Sequence, residues 1–237
     1  MKKTIGILGG MGPEATAYFY ELIVKHTKAE ADQDHIKAII YSNPEIPPRT
    51  DAILGKGPSP SPLLVEGFRR LKEAGADLVV MPCVTAHYFY PEVKDRVEVP
   101  FISLLDEAVK WAEVEVPGLR KAGLLAATGT LESKLFHNVF SLSGIEVIHP
   151  DEDEQNQVMA AIFGPMGIKV GFTSGFSKET LVNIAKVLVA RGADAIIAGC
   201  TEVPLALKER DIPVPLIEPM RIAARVCILK AGYELID

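Results

Sequence analysis

The sequence predicts an α/β protein of two pseudo-symmetric lobes, each a mostly parallel four-stranded sheet flanked by helices, with a functional site in the cleft between them. Three observations predict it. The chain repeats itself at a shift of 117 residues, strand-like and helix-like segments alternate, and the short strand-like runs are apolar on both sides. Strands buried on both faces read as continuous apolar runs, and strand–helix alternation builds parallel sheets.

The repeat comes first, because a missed repeat misreads the whole fold. At the 117-residue shift, "KTIGILGGMGPEATAYF" lies over "RKAGLLAATGTLESKLF", matching Gly6 with Gly123, Leu8 with Leu125, Gly12 with Gly129 and Phe19 with Phe136. The same shift lays "GADLVVMPC" over "GADAIIAGC", so Cys83 meets Cys200. After a slip of two residues, "VPFI" at 99–102 meets "VPLI" at 214–217.

In the first copy, apolar runs at 4–9, 36–41, 77–82 and 99–103 read as strands, and amphipathic stretches at 14–30 and 62–75 as helices. The second copy gives strands at 121–127, 144–149, 193–198 and 214–217, with helices at 131–142, 152–163 and 178–191. The first lobe is assigned residues 1–103, completed by the C-terminal segment 213–237 with its last strand and a helix over 218–235. Residues 104–212 form the second lobe. The Pro-rich stretch 44–62 falls inside the first copy and is expected as a loop over the cleft rather than an interdomain linker.

Composition narrows the function classes. The 237 residues are 48% hydrophobic and 24% charged, with a formal net charge of −6 and no Lys/Arg-rich run. That balance suits a soluble globular chain and disfavours a nucleic-acid partner. No apolar run approaches the ~20 residues of a membrane span. Residues 2–17 imitate a signal peptide only loosely, since Pro13, Glu14 and three glycines interrupt the apolar run; they read as a first strand, and the location as cytoplasmic. Three cysteines without a C-x-x-C pair do not make a secreted disulfide framework.

The glycine loop poses a choice of ligand. Gly10 to Ala15 fits G-x-G-x-x-A, which opens a helix onto a phosphate or other anion, with Pro13 at its first position. A dinucleotide site also needs an acidic residue near the end of the second strand, where "IIYSN" places Ser42 and Asn43. The loop has a twin in "ATGT", residues 127–130, which a single dinucleotide would not need. A carboxylate is the expected ligand.

Cys83 and Cys200 each follow a buried strand and precede threonine-bearing sequence that opens a helix. One such cysteine reads as a small buried hydrophobe. A matched pair, brought face to face by the two lobes, reads as two acid/base groups on opposite sides of one carbon. A helix N-terminus is expected to lower each thiol's pKa. The carbanion left when an α-proton departs needs fixed donors, which the two glycine loops can supply. Cys227 has no counterpart and reads as helix core. His87, four residues after Cys83, and Glu202, two after Cys200, are candidate helpers of the thiols; a helix-start histidine and a first-turn glutamate are the plainer readings. No His, Cys, Asp and Glu cluster has metal-ligand spacing, so no metal is expected.

At these residues the chain resembles the aspartate/glutamate racemase family, which works without pyridoxal phosphate. The resemblance spans essentially the whole chain and rests on "GILGGMGPEAT", "PPRT" at 47–50, "MPCVTAH" at 81–87, "GIKVG" at 167–171 and "GCTEVPL" at 199–205. It implies two α/β lobes, a homodimer, no cofactor, and an amino-acid substrate carrying carboxylates. It further implies Cys83 and Cys200 as the two bases. Arg49 and Lys169 would bind the substrate carboxylates, with the backbone of Met11 and Gly12 and the hydroxyls of Thr85, Thr128, Thr130 and Thr201. Arg49 and Lys169 also fall within three residues of the repeat shift, and two cations suit a substrate with two carboxylates. The family's P-C-N-T motif carries Val84 in place of Asn, which removes a polar hook and opens the substrate range beyond aspartate. Isomerisation or decarboxylation of a small diacid, and non-catalytic carboxylate binding, are the competing readings.

Overall fold

A computed structural model describes residues 1–236 as two compact units, residues 1–107 with 220–236, and residues 108–219. In the first unit, strands β1 (Ile5–Gly9), β2 (Ala38–Ser42), β3 (Leu78–Val80) and β4 (Phe101–Ile102) form one parallel sheet in the order β2-β1-β3-β4. In the second, β5 (Lys121–Leu125), β6 (Glu146–Ile148), β7 (Ala195–Ala198) and β8 (Leu216–Ile217) repeat it in the order β6-β5-β7-β8. Both sheets are entirely parallel.

The apolar runs explain the central strands. All five residues of β1 and all four of β7 are buried, and each fully buried Ile or Leu contributes roughly 1.5–3 kcal/mol over its exposed state. Helices cover the sheets, chiefly Pro13–His26 and Ser61–Glu73 in the first unit and Glu152–Phe163 and Phe176–Ala190 in the second. Among the described residues no helix is long and apolar enough to cross a membrane.

The repeated "GAD" is structural. Gly75 and Gly192 take φ of 96° and 93°, the left-handed turn that ends a helix and sends the chain into a strand. Asp77 and Asp194 then tie the strand starts. Asp77 accepts from Thr4 N–H at 2.7 Å, and Asp194 from Lys121 N–H at 3.0 Å.

Three expectations need correction. The segment 213–237 does not move to the first unit as a block. Ile196 N–H donates to Pro215 O at 3.0 Å and Ile197 pairs with Ile217, so β8 extends the second sheet. Only residues 220–236 join the first unit, where Lys3 N–H donates to Ala231 O and Ile236 N–H to His26 O, both at 2.9 Å. The boundary at 103/104 also shifts, to the interior of a helix, Leu104–Glu115, that the sequence reading left unassigned. Its buried Leu104, Leu105, Ala108, Val109 and Ala112 follow helical spacing, and its first turn is held to the first unit by Leu104 N–H and by Lys230 beside Glu107. Finally, the helix expected over 131–142 is two helices, Thr128–Glu132 and Leu135–Ser141, broken at Lys134 with φ 53°.

Candidate active site

In an open parallel sheet, ligands bind beyond the carboxyl ends of the strands, where consecutive connections leave in opposite directions. In the first unit that point lies between β1 and β3. The chain runs from β1 out to β2 and returns to β3 on the other side. Gly10–Gly12 follow β1 and Cys83 follows β3. In the second unit the same point lies between β5 and β7, with Thr128 after one and Cys200 after the other. The Cys200 N–H donates to Leu125 O at 3.2 Å, which ties the two strand ends together.

The first loop is built from inside. Gly10 has φ 93°, and a Cβ there would come 2.3–2.4 Å from the Asn43 backbone, so only glycine lets the two segments meet. Thr16 Oγ1 accepts from Gly10 N–H at 2.9 Å and donates to Gly12 O at 2.8 Å. The helix Pro13–His26 starts with no side-chain cap, which leaves its N-terminal N–H groups for an anion. Arg49 reaches the same loop: Nη1 donates to the carbonyls of Ile46 and Pro47 at 3.0 and 2.9 Å, and Nη2 to Met11 O at 3.2 Å. Its buried Nε has no hydrogen-bond partner. Of five guanidinium donors, Nε–H and one Nη2 hydrogen therefore remain.

Cys83 is buried in the same apolar cluster as Met11 and Ala86, and its Sγ lies 3.8 Å from Thr85 Oγ1. His87 bonds the Cys83 carbonyl rather than its sulfur. Its Nδ1–H donates to Cys83 O at 2.9 Å and its Nε2 accepts from Leu104 N–H at 3.0 Å. One partner only accepts and the other only donates, so the ring is a neutral Nδ1–H tautomer. Burial lowers its pKa to about 4. His87 thus orients the cysteine turn through the backbone. Val84 is buried.

The second unit differs at the sulfur. Cys200 Sγ donates to Glu202 Oε2 at 2.9 Å, Thr201 Oγ1 donates to the same oxygen at 3.2 Å, and Lys169 Nζ pairs with Oε1. Lys169 also stands 5.4 Å over the Phe163 ring. Burial, and then the Glu202 charge, push the Cys200 thiol well above its ordinary pKa, with Lys169 opposing. The expectation of a thiol lowered by a helix N-terminus is therefore wrong at Cys200: the helix that follows has only four residues, Val203–Ala206, and a carboxylate faces the sulfur. Lys169, expected on a substrate carboxylate, is bonded to Glu202 instead.

Thr128 and Thr130 sit in the short helix Thr128–Glu132 that follows β5, Thr130 fully buried and Thr128 partly exposed. Gln155, which the sequence reading did not single out, donates from Nε2 to Ala126 O at 3.0 Å and to Thr128 Oγ1 at 3.2 Å. Thr16 was missed as well; its place four residues after Gly12 was the available signal. Cys227 is buried in the helix Pro219–Lys230 and its thiol is pushed upward by desolvation. Among the described residues no group of three or more His, Cys, Asp or Glu could hold a metal.

Two copies of one parallel α/β unit, each with a buried cysteine at its topological switch point, define a class of duplicated proteins with one such thiol per half. Residues 8–227 match the Asp/Glu/Hydantoin racemase family, and the chain belongs to it. The broad specificity amino-acid racemase RacX of Bacillus subtilis is 29% identical over 93% of this chain and 95% of its own length. Among solved structures, the aspartate racemase of Picrophilus torridus matches with TM-score 0.86 and 29% identity, covering 99% of this chain and 96% of that one. An aspartate racemase homologue from Pyrococcus horikoshii matches with TM-score 0.77 and 29% identity, covering 98% and 100%.

Proposed function

We propose that the protein is an amino-acid racemase, an isomerase that inverts the α-carbon of aspartate, glutamate or a close relative by moving protons between Cys83 and Cys200 without a cofactor. The observation that carries the reading is the matched pair of cysteines, one beyond β3 and one beyond β7, in a chain of a racemase family. In one direction the Cys83 thiolate takes the α-proton, and the C–H electron pair remains on the substrate as a carbanion spread into its carboxylate. The Cys200 S–H gives its proton to the opposite face and becomes the thiolate. The reverse reaction exchanges the two states. The thiol-to-carboxylate bond at Cys200 supports its starting as the acid, and Lys169 balances the negative charge when the sulfur loses its proton. When the opposite isomer binds enzyme whose Cys200 is still protonated, Glu202 takes the Cys200 proton and Cys83 takes one from solvent, which gives the thiolate and thiol that the reverse reaction needs.

Arg49, the Met11–Gly12 backbone and the Thr85, Thr128 and Thr130 hydroxyls are assigned to the substrate's carboxylates and developing charge, whereas the Thr201 hydrogen is already given to Glu202 and reaches substrate only if that bond is released. Lys169 acts on substrate only by letting go of Glu202. Val84, a buried valine where the family motif has an amide, supports a substrate range wider than aspartate, as does the broad specificity of the Bacillus relative. The family resemblance implies a homodimer, which light scattering on the purified protein checks, and the reading of residues 2–17 as a first strand, β1, supports a cytoplasmic location.

Incubation with L-aspartate, L-glutamate and a panel of other amino acids in deuterium oxide tests the reading. Deuterium at the α-position with growth of the D-isomer is expected. Absence of exchange across the panel would reject it.

A further inference from the structure

We infer that Gln155 is a positioning residue that turns the Thr128 hydroxyl into a donor aimed at a substrate carboxylate. The inference rests on the racemase reading, and it assigns a role to a residue outside every motif of the sequence.

The side chain is placed from two directions. Asp151 caps the helix Glu152–Phe163, accepting from Glu154 N–H at 3.0 Å while Glu154 Oε2 accepts from Asp151 N–H at 2.9 Å. Gln155 therefore stands at a defined point of the first turn, only 8% exposed. Its amide cannot be reversed. Nε2 faces the Ala126 carbonyl at 3.0 Å, and an oxygen in that position would meet another acceptor. The second Nε2 hydrogen goes to Thr128 Oγ1 at 3.2 Å.

That bond has a consequence for the hydroxyl. A threonine Oγ1 has two lone pairs and one hydrogen. Gln155 occupies a lone pair, while the hydrogen has no protein acceptor among the described residues. A hydroxyl fixed in that way keeps its hydrogen for an incoming acceptor, which favours a carboxylate over an ammonium group. Chained donors also polarise one another, so the buried amide strengthens the outward bond. Space exists beside it: Thr128 and Gln155 both line a cavity of about 530 Å³, whose wall carries Lys134 and His149 and also the acidic Glu132, Asp151 and Glu152. The first unit anchors its equivalent loop differently, through Thr16 and Arg49, so the device belongs to one half only.

The test uses full-length protein, with L-aspartate as substrate and succinate as a non-reacting dicarboxylate followed by calorimetry. Gln155→Leu should raise the KM for L-aspartate and the Kd for succinate about 10-fold, with kcat changed less than about 3-fold. Thr128→Val should raise both constants at least as far, and the double variant should add little to that loss. Gln155→Glu, nearly identical in shape and suited to the case in which leucine prevents folding, puts a carboxylate against Ala126 O and draws the Thr128 hydrogen inward. Its KM excess over the wild type should shrink between about pH 8 and about pH 5, as protonation restores a donor. Unchanged KM and Kd in Gln155→Leu, or additive losses in the double variant, would overturn the inference while leaving the racemase reading intact. A wild type that racemises nothing yet binds succinate in a Gln155-dependent way would do the opposite.

Discussion

The Cys200 thiol donates to Glu202 Oε2 over 2.9 Å, whereas Cys83 has Thr85 Oγ1 at 3.8 Å, and Thr85 is the residue the repeat lays over Glu202. Duplication therefore conserved the position of the sulfur and not its chemistry. One thiol faces a carboxylate balanced by a lysine, the other a hydroxyl. Two-base inversion needs one group to start protonated and the other to start free, and unlike surroundings favour that division.

Neutralising Glu202 tests the asymmetry. Burial and the Glu202 charge both raise the Cys200 pKa, and Lys169 lowers it. Glu202→Gln removes the second cause and leaves the lysine unopposed, so the Cys200 pKa should fall. Alkylation of the Cys200 peptide by iodoacetamide, followed by mass spectrometry across pH, should show its midpoint moving down. An upward or absent movement would mean that the carboxylate does not govern the thiol.

Lys169→Met should act on stability as well as on the sulfur. Glu202 is almost fully buried and Lys169 only partly exposed, so the change leaves a carboxylate with one strong partner gone. Removing one member of a fully buried pair costs about 3–5 kcal/mol; partial exposure of the lysine brings the expectation to about 2 kcal/mol. The double variant Lys169→Met/Glu202→Gln should regain much of that loss. Urea unfolding at neutral pH measures both.

His87 links the Cys83 turn to pH. Its pKa falls from an ordinary value near 6.5 to about 4 in the fold, because burial disfavours the imidazolium. The unfolded chain thus binds the proton first. The stability this neutral ring provides is complete above about pH 6.5 and is lost as pH falls toward 4, about 3 kcal/mol in all. His87→Ala should be less stable at pH 7, having lost both backbone bonds, and should show a shallower decline with acid. Other histidines, such as His26 and His137, are common to both proteins and cancel in the difference.

The repeat carried most of what the sequence made legible. It placed both cysteines at strand ends and both glycine loops beyond first strands, because strand order and connection length follow from the duplicated pattern. Ion pairing was not legible. Lys169 and Glu202 are 33 residues apart, and nothing in "GIKVG" or "GCTEV" announces that they meet. Gln155 was hidden for a similar reason, since its hydrogen bond reaches Thr128, 27 residues earlier. The course of the C-terminal segment was misread because β8 has only two residues and its allegiance is set by pairing with β7. His87 was seen as near its cysteine, yet which atom it would touch depended on the tight turn that brings Cys83 O to Nδ1.

The three cysteines separate the proposed mechanism from a simple requirement for thiols. Cys83→Ala and Cys200→Ala should each abolish racemisation, because one face of the carbon then has no proton carrier. Each should nevertheless retain exchange of the α-hydrogen of a single enantiomer with deuterium oxide, the opposite enantiomer in the two variants, through the remaining sulfur. Cys227→Ala should keep nearly full activity and lose about 1 kcal/mol of stability, as it trades a buried sulfur for a small void in the helix Pro219–Lys230. Nuclear magnetic resonance of the α-position and chiral chromatography read the two outcomes separately. Racemisation by either single variant, or exchange of the same enantiomer by both, would show that the sulfurs do not serve opposite faces.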